Sequence, residues 1–174
     1  MITRPQADEF SSFFTGYVQR VPEGTDIIAL LSAQPAELRT LLSHVTDEQA
    51  DVRPAPNEWS IKEVMGHVND AERIFAYRAT RIARGDTTPL PGFEQNNYVR
   101  ATDFNTRSLS DLVAEFEAQR RANVLSLGVL PEAELARRGV ASNTPISARA
   151  LLFVMAGHVM HHIESFKTSY KVGV

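Results

Sequence analysis

The amino-acid sequence predicts an all-α protein in which four amphipathic helices pack as a four-helix bundle. Two observations predict this fold class. Apolar residues recur every three or four positions in four long segments, which is the period of an α-helix. No segment alternates between apolar and polar residues as a strand does, and no Asn-Gly hairpin turn is present. The length of 174 residues is typical of one domain, so residues 1–174 are predicted to form a single domain.

The first long helix is predicted from about Asp26 to His44. Pro35 interrupts its apolar pattern, so either one helix kinks there or a second helix begins there. A short amphipathic helix is predicted before it, around residues 8–21. His44 falls at the end of the first long helix, where a structural or solvated role is expected.

The second long helix has the clearest start in the chain and is predicted from Ser60 to about Arg84. The run WSIKEV has the spacing of a capping box, in which Ser60 accepts a hydrogen bond from the backbone of Glu63 and Glu63 reaches back. Gly85 follows as a plausible C-terminal stop.

The third and fourth helices complete the bundle. The third is predicted over residues 109–127, with a cap at Ser108, and the fourth is predicted to open at Thr144 and Pro145 and to reach about Tyr170. The connection from Gly85 to Ser108 is long for a compact domain, and such segments are often functional. It leaves room for a crossover, so simple up-down-up-down order is not required.

Composition excludes several classes of protein. The net charge is −3 with both signs mixed, which argues against a nucleic-acid binder that works through a basic surface. The sequence contains no cysteine, which excludes disulfides and thiolate metal sites, so a metal would be held by imidazole, carboxylate or water. The N-terminal residues do not support a signal peptide, and no apolar stretch is long enough for a membrane span. We therefore expect a cytoplasmic protein that does not bind membranes.

Three of the five histidines lie within the segment AGHVMHHIESF, residues 156–166. His158 and His162 are four residues apart, so both fall on the apolar, core-facing stripe of the fourth helix. His161 points about 100° away from His162, onto a more polar strip. We expect His161 to be a rim or interface residue, paired with Glu164.

His67 lies on the apolar face of the second helix and is therefore also predicted to point at the core. Imidazoles of His67, His158 and His162 could converge there on a divalent ion, and zinc, nickel and iron(II) all accept such ligands. The alternative is that each is a core histidine that hydrogen-bonds to a carbonyl. The glutamate of an H-E-x-x-H motif is absent, so a zincin-type protease is not supported.

Two stretches resemble the DinB-like (DNA-damage-inducible) family of bacterial metal-binding helical bundles: residues 53–99 and the segment ARALLFVMAGHVMHHIESF. The shared features are tryptophan-serine, then GH with DAER, then H-x-x-H-H late in the last helix. The resemblance implies a four-helix bundle with a long crossover connection between helices two and three, and a divalent metal held by His67, His158 and His162. A Gly-Gln pair common after the last histidines in that family is replaced by Ile163, Glu164 and Ser165.

The resemblance also implies an activity. The wider superfamily includes thiol-dependent S-transferases and isomerases that use bacillithiol, mycothiol or glutathione. The first hypothesis is therefore a metal-dependent thiol S-transferase in which the metal activates the thiol of a cosubstrate. Arg78, on the His67 face, could hold a carboxylate of that cosubstrate, although a salt bridge is the alternative role. A small-molecule substrate and a homodimer are the partners that the resemblance implies.

Two other functions remain open at this point. A metal-dependent hydrolase that uses metal-bound hydroxide would need a carboxylate base, and Asp70 is the candidate nearest to His67 on its face of the helix. The third hypothesis is a non-catalytic, metal-stabilised, stress-associated protein. A closed apolar pocket with no convergent polar groups would favour that hypothesis.

Overall fold

A computed structural model describes residues 2–173. Its α-helices are α1 (Thr15–Arg20), α2 (Ile27–Leu42), α3 (Asp47–Ala50), α4 (Ile61–Ala83), α5 (Gln95–Ala101), α6 (Leu109–Leu127), α7 (Glu132–Leu135) and α8 (Ala148–Thr168). Two strands, β1 (Arg138–Ala141) and β2 (Thr144–Ser147), form an antiparallel hairpin. Single 3-10 turns occur at Ala7–Glu9, Ser12–Phe14 and Phe104–Thr106.

The four long helices, α2, α4, α6 and α8, form the predicted four-helix bundle. Helices α2 and α4 each pack against both α6 and α8, so the order around the bundle is α2, α6, α4, α8. The first two long helices therefore lie across a diagonal from each other. Residues 84–108 form the long connection between the second and third long helices, and they contain α5 and a 3-10 turn.

Local capping explains where the long helices begin. The backbone N–H of Glu63 donates to Ser60 Oγ at 3.2 Å, and Ser60 N–H donates to Glu63 Oε2 at 2.8 Å, which confirms the capping box of α4. The backbone of Asp111 donates to Ser108 Oγ at 3.1 Å at the start of α6. Asp26 accepts from two backbone N–H groups at the start of α2. The predicted starts of these three helices are therefore confirmed.

Pro35 lies inside α2, and a single helix continues through it. Proline has no N–H, so the carbonyl four residues earlier, that of Leu31, loses its helical donor. The guanidinium of Arg120 on α6 replaces that donor, since Nη1 lies 3.3 Å from Leu31 O. A tertiary contact thus satisfies the carbonyl that the proline leaves free.

The predicted start of the fourth helix is wrong. Thr144 and Pro145 lie in β2, and α8 begins three residues later, where Ser147 Oγ accepts from the backbone N–H of Ala150 at 3.0 Å. The hairpin turns at Ser142 and Asn143, whose φ angles are 52° and 61°. Two consecutive left-handed residues are the conformation of a two-residue hairpin turn, here formed without the Asn-Gly signature.

The predicted N-terminal helix is shorter than expected. Residues 8–21 contain two 3-10 turns followed by α1, which packs against α8. The buried apolar residues of this segment, Phe14, Val18 and Val21, all join the apolar core beneath it. This segment covers one side of α8 next to the histidines.

The interior has two apolar clusters with polar side chains between them. One cluster includes Leu31 and Ala156, and the other includes Leu38 and Val159. The side chains at the boundary, which we call the polar layer, come from all four long helices. Its members are Gln34 of α2, His67, Asn69 and Glu72 of α4, Arg120 of α6, and His158 and His162 of α8.

Of the helices between residues 2 and 173, none combines the length and the apolar character that crossing a lipid bilayer would take.

Candidate metal centre

The three histidines predicted to converge do so inside the bundle. His158 Nε2 lies 3.0 Å from His67 Nε2 and 3.1 Å from His162 Nε2. One ring nitrogen from each residue lies within 4.8 Å of the other two. Helices α4 and α8 pack directly against each other, and this contact brings together histidines that are distant in the sequence. We call these residues the histidine triad.

The triad is buried, and burial keeps its imidazoles neutral. His67 and His158 are each 4% exposed and His162 is 9% exposed. Removal from water disfavours the charged form, which lowers the pKa of His67 to about 4 and holds the pKa values of His158 and His162 well below their usual range. The other histidines of the cluster lower these pKa values further. Near pH 7 each ring is therefore in the form that ligates metals.

A glycine precedes a triad histidine on each of the two helices. A methyl group at Gly157, just before His158, would lie 1.9 Å from the backbone oxygen of Tyr17. A methyl group at Gly66, just before His67, would lie 2.3 Å from a ring carbon of Phe104. Glycine therefore lets α1 and the residue 104 turn approach the helices at the level of the triad.

Aromatic side chains surround the triad. The ring of Trp59, the only tryptophan, lies 5.1 Å from the His67 ring, and those of Tyr17 and Phe75 lie 5.4 Å and 5.7 Å from the His158 ring. Burial raises the pKa of Tyr17, so its hydroxyl stays protonated at neutral pH. The sequence reasoning missed Tyr17, because its proximity depends on how α1 docks.

A cavity of about 420 Å³ connects the triad to the surface. Its lining includes His67 and His158 at one end, the aromatic rings of Phe14, Phe75 and Phe93, and Arg78, Glu94 and Ser142 further along. Phe13, which is 75% exposed, also borders it. Two histidines of the triad thus border an accessible cavity with both apolar and polar walls.

The structure places Arg78 in this cavity and Asp70 outside it. Arg78 is 3% exposed and donates from Nη2 to Pro91 O at 2.7 Å and to Ser142 Oγ at 3.0 Å. Asp70 lies 3.6 Å from Arg73, beside Glu115 of α6, and burial is the main cause that raises its pKa. Arg78 and the triad therefore share a cavity that Asp70 does not line.

The remaining histidines lie apart from this arrangement. His161 is half-buried at the rim, with its ring 5.9 Å from Tyr17 and 5.0 Å from His162. Its expected pairing with Glu164 is wrong, because Glu164 pairs with Arg20 of α1. His44 is exposed.

Two of the three nitrogen separations in the triad suit a shared divalent ion. Three nitrogen ligands about 2.1 Å from one ion are about 3.0–3.4 Å apart. The two short separations in the triad, 3.0 Å and 3.1 Å, fall in this range. The donors are neutral imidazoles, which zinc, nickel and iron(II) accept.

Fold and site together define a class of protein: a four-helix bundle whose interior holds a histidine triad that could bind a metal ion. A family model described as the DinB superfamily matches residues 30–165. The chain belongs to the DinB superfamily, as its sequence predicts.

Among solved structures, the fold resembles YfiT from Bacillus subtilis, which is described as a probable metal-dependent hydrolase with an unusual four-helix bundle topology. The TM-score is 0.70 at 19% sequence identity, and the match covers 82% of this chain and 87% of that one. At this identity the likeness establishes the shared fold. A comparison with curated protein sequences gives no match.

Proposed function

We propose that this protein is a metal-dependent enzyme in which His67, His158 and His162 hold a divalent ion at the inner end of the cavity. The observation that carries this proposal is the triad itself. Three buried, neutral imidazoles lie within ligand distance of one another, and their hydrogen bonds within residues 2–173 are only to each other. Burying imidazoles without other partners costs free energy unless a ligand compensates.

The cavity favours catalysis over a purely structural ion. A structural site is closed by protein ligands, whereas a catalytic site keeps a position open for substrate. Here two of the three proposed ligands, His67 and His158, line a cavity whose walls include the polar groups of Arg78 and Ser142. A divalent ion held by His67, His158 and His162 would supply the positive charge that favours the deprotonated form of a thiol or water.

A thiol is the nucleophile that suits this site best, and we propose thiol S-transfer as the reaction. A thiol that coordinates a metal ion loses its proton without help from a protein base. Within the described part of the chain, the carboxylate that lines the cavity is that of Glu94, and it caps α5 by accepting from Asn96 N at 3.4 Å. The aromatic walls would exclude water from the thiol and its electrophile.

A metal-dependent hydrolase is the second candidate, favoured by the likeness to YfiT. Hydrolysis would need a group that takes a proton from water. Asp70 was the candidate base, and it is engaged with Arg73 on the α6 side of α4. A hydrolase would therefore require a different base, and the hydroxyl of Tyr17 is protonated at neutral pH.

Cobalt(II) titration of the metal-free protein tests these proposals. We expect one ion per chain in the wild type and in His161→Gln, and none in His162→Gln. Bacillithiol, mycothiol or glutathione should then produce a sulfur-to-cobalt charge-transfer band. The thiolate should also displace chloride from 1-chloro-2,4-dinitrobenzene, which forms a thioether and releases chloride.

The outcomes separate the candidates. Equal ion binding by the wild type and His162→Gln would reject the triad as the metal site. Ion binding without a thiol band or transfer, but with thiol-independent cleavage of an ester or amide panel, would replace S-transfer with hydrolysis. A homodimer remains a prediction, and sedimentation of the zinc-loaded protein measures it.

A further inference from the structure

Arg78 is a buried cation for which residues 2–173 provide no carboxylate partner. Its side chain is 3% exposed, yet none of the ion pairs between residues 2 and 173 includes it. Arg120, the other fully buried arginine of the bundle, has Glu72 at 2.8 Å from two of its nitrogens. A buried charge is costly unless an opposite charge or strong hydrogen bonds compensate it. The charge of Arg78 is therefore uncompensated within residues 2–173, and a bound anion could compensate it.

Arg78 lines the cavity, and some of its hydrogen-bond donors are unused within residues 2–173. Its Nη2 is occupied by Pro91 O and Ser142 Oγ, while Nε and Nη1 have no hydrogen-bond partner within residues 2–173. Ser142 Oγ accepts from Arg78, so its own hydrogen remains free to donate. The left-handed turn of the hairpin places Ser142 there. Two elements, α4 and the β1–β2 turn, thus place the donors of Arg78 and Ser142 next to each other.

Arg78 lies at a defined distance from the triad. It follows His67 by three turns of α4, which places the two Cα atoms about 16 Å apart on the same side of the helix. The aromatic rings of Phe14, Phe75 and Phe93 line the cavity between them. The Arg78 guanidinium carbon lies 5.9 Å from the centre of the Phe93 ring. A ligand that reaches both ends must be elongated, with an apolar middle.

We infer that Arg78 and Ser142 form an anion subsite that binds the carboxylate of an elongated, apolar substrate whose other end reaches the triad. A monoanion matches the single uncompensated charge of Arg78. A dianion such as a phosphate monoester would place excess negative charge near Glu94, which lines the same cavity. The subsite is inferred from Arg78 and Ser142 alone. The placement of the other end of the substrate at the triad depends on the proposed metal-dependent function.

Binding of 4-phenylbutyrate and its uncharged analogue 4-phenylbutyramide to the metal-free protein tests the subsite. Trp59 is the only tryptophan, and its ring lies 5.1 Å from that of His67, which lines the cavity, so we use its fluorescence to follow binding. We expect the carboxylate to bind about tenfold more tightly than the amide. This is the difference in affinity that one charge-assisted hydrogen bond typically provides. Arg78→Met should reduce this preference to less than about twofold, and Ser142→Ala should reduce it partially.

Arg81→Met is the matched control. Arg81 is on the same helix and its removal changes the charge equally, but it pairs with Asp86 at the surface. This variant should keep the wild-type preference. If Arg78→Met does not fold, the Nε and Nη resonances of Arg78 in the wild type, which should shift with 4-phenylbutyrate and not with the amide, provide the same test. Inorganic phosphate, tested above about pH 8 so that it is mainly a dianion, should not displace the carboxylate.

The proposal is overturned if the wild type shows no preference for the carboxylate, whether neither compound binds or both bind equally. It is also overturned if Arg78→Met keeps the preference, or if phosphate competes as strongly as the carboxylate. Zinc binding is measured separately on the same preparations. A carboxylate preference without zinc binding would retain the subsite and reject the proposed metal function, and the reverse result would do the opposite.

Discussion

Two buried polar groups lie side by side in the polar layer, and they differ in how their hydrogen-bonding atoms are satisfied. Arg120 donates to Glu72, to Gln34 Oε1 at 2.6 Å and to Leu31 O. Gln34 in turn donates to Ala156 O at 2.8 Å. This group, which we call the arginine network, connects all four long helices. Its charged and amide side chains form hydrogen bonds to one another and to backbone carbonyls.

The histidine triad is open by comparison. Its hydrogen bonds within residues 2–173 join its own members, and His67 and His158 line a cavity. The arginine network stabilises the packing of the helices. Removing either Arg120 or Glu72 would leave the other charge buried without a counter-charge. The triad has capacity left for a ligand. The comparison teaches that burial of polar groups does not by itself identify a site; unused donors and acceptors beside a cavity do.

The largest expected effect is on the arginine network. Arg120→Met should leave Glu72 buried without its counter-charge and lower the free energy of unfolding by about 3–5 kcal/mol. Urea unfolding of the metal-free protein measures this. The double variant Arg120→Met, Glu72→Leu should recover part of the loss, because no charge is then left unpaired. A loss below about 1 kcal/mol in the single variant would contradict the structural role assigned to the network.

Metal binding should have the next largest effect. Zinc at a hundredfold excess over its dissociation constant should raise the free energy of unfolding by about 2.7 kcal/mol. His158→Leu should abolish this gain, whereas Asn123→Ala, which removes a hydrogen bond from the Asn123 amide to Glu72 of the arginine network, should keep it. Thermal unfolding with zinc and with chelator makes the comparison. An equal gain in His158→Leu would show that zinc binds elsewhere.

Crowding the triad through the backbone should cost somewhat less. Gly157→Ala places a methyl group against the backbone of Tyr17 and should lower the free energy of unfolding by about 1–3 kcal/mol. It should also weaken zinc binding, because α1 must move beside His158. Gly16→Ala is the matched control. A methyl group there would have no atom of residues 2–173 within 4 Å apart from its own helix backbone and chain neighbours, so this variant should be neutral or stabilising. Similar effects of both variants would refute the close approach of α1.

Acidification should destabilise the metal-free protein through the triad. The pKa of His67 is about 4 when folded and 6.5 when unfolded, so below pH 6.5 the unfolded chain binds a proton that the folded chain does not. Stability is therefore unaffected by this group above that range and falls as the pH decreases to about 4. Between about pH 7.5 and 5 the loss from His67 should be about 2 kcal/mol. Urea unfolding of His67→Leu should show a flatter pH dependence, and an identical profile would contradict this origin.

The smallest effect is expected at the rim. His161→Gln removes the middle histidine of the cluster, which is half-buried and outside the triad. The free energy of unfolding should change by less than about 0.5 kcal/mol, and zinc should bind at an unchanged stoichiometry. Elemental analysis after dialysis measures the second quantity. Loss of zinc in this variant would extend the site beyond the triad.

The amino-acid sequence by itself determined the long helices and the facing of the histidines. The capping box of Ser60 and Glu63 is formed by residues three apart, and the stripe that contains His158 and His162 follows from helical periodicity. These features are local, so no knowledge of the rest of the fold is needed. A glycine before His67 and another before His158 were further local signals, whose meaning appears only with the neighbours that approach them.

Only the tertiary structure decided which groups are left with unused hydrogen bonds. The hairpin turn at Ser142 is stabilised by pairing between β1 and β2, and Arg78 and Asp70 point to different surroundings although both share α4 with His67. The pairing of Arg120 with Glu72 likewise depends on the order of the helices around the bundle. The physical reason is range: capping and periodicity act over a few residues, whereas charge compensation depends on side chains that packing brings from distant parts of the chain.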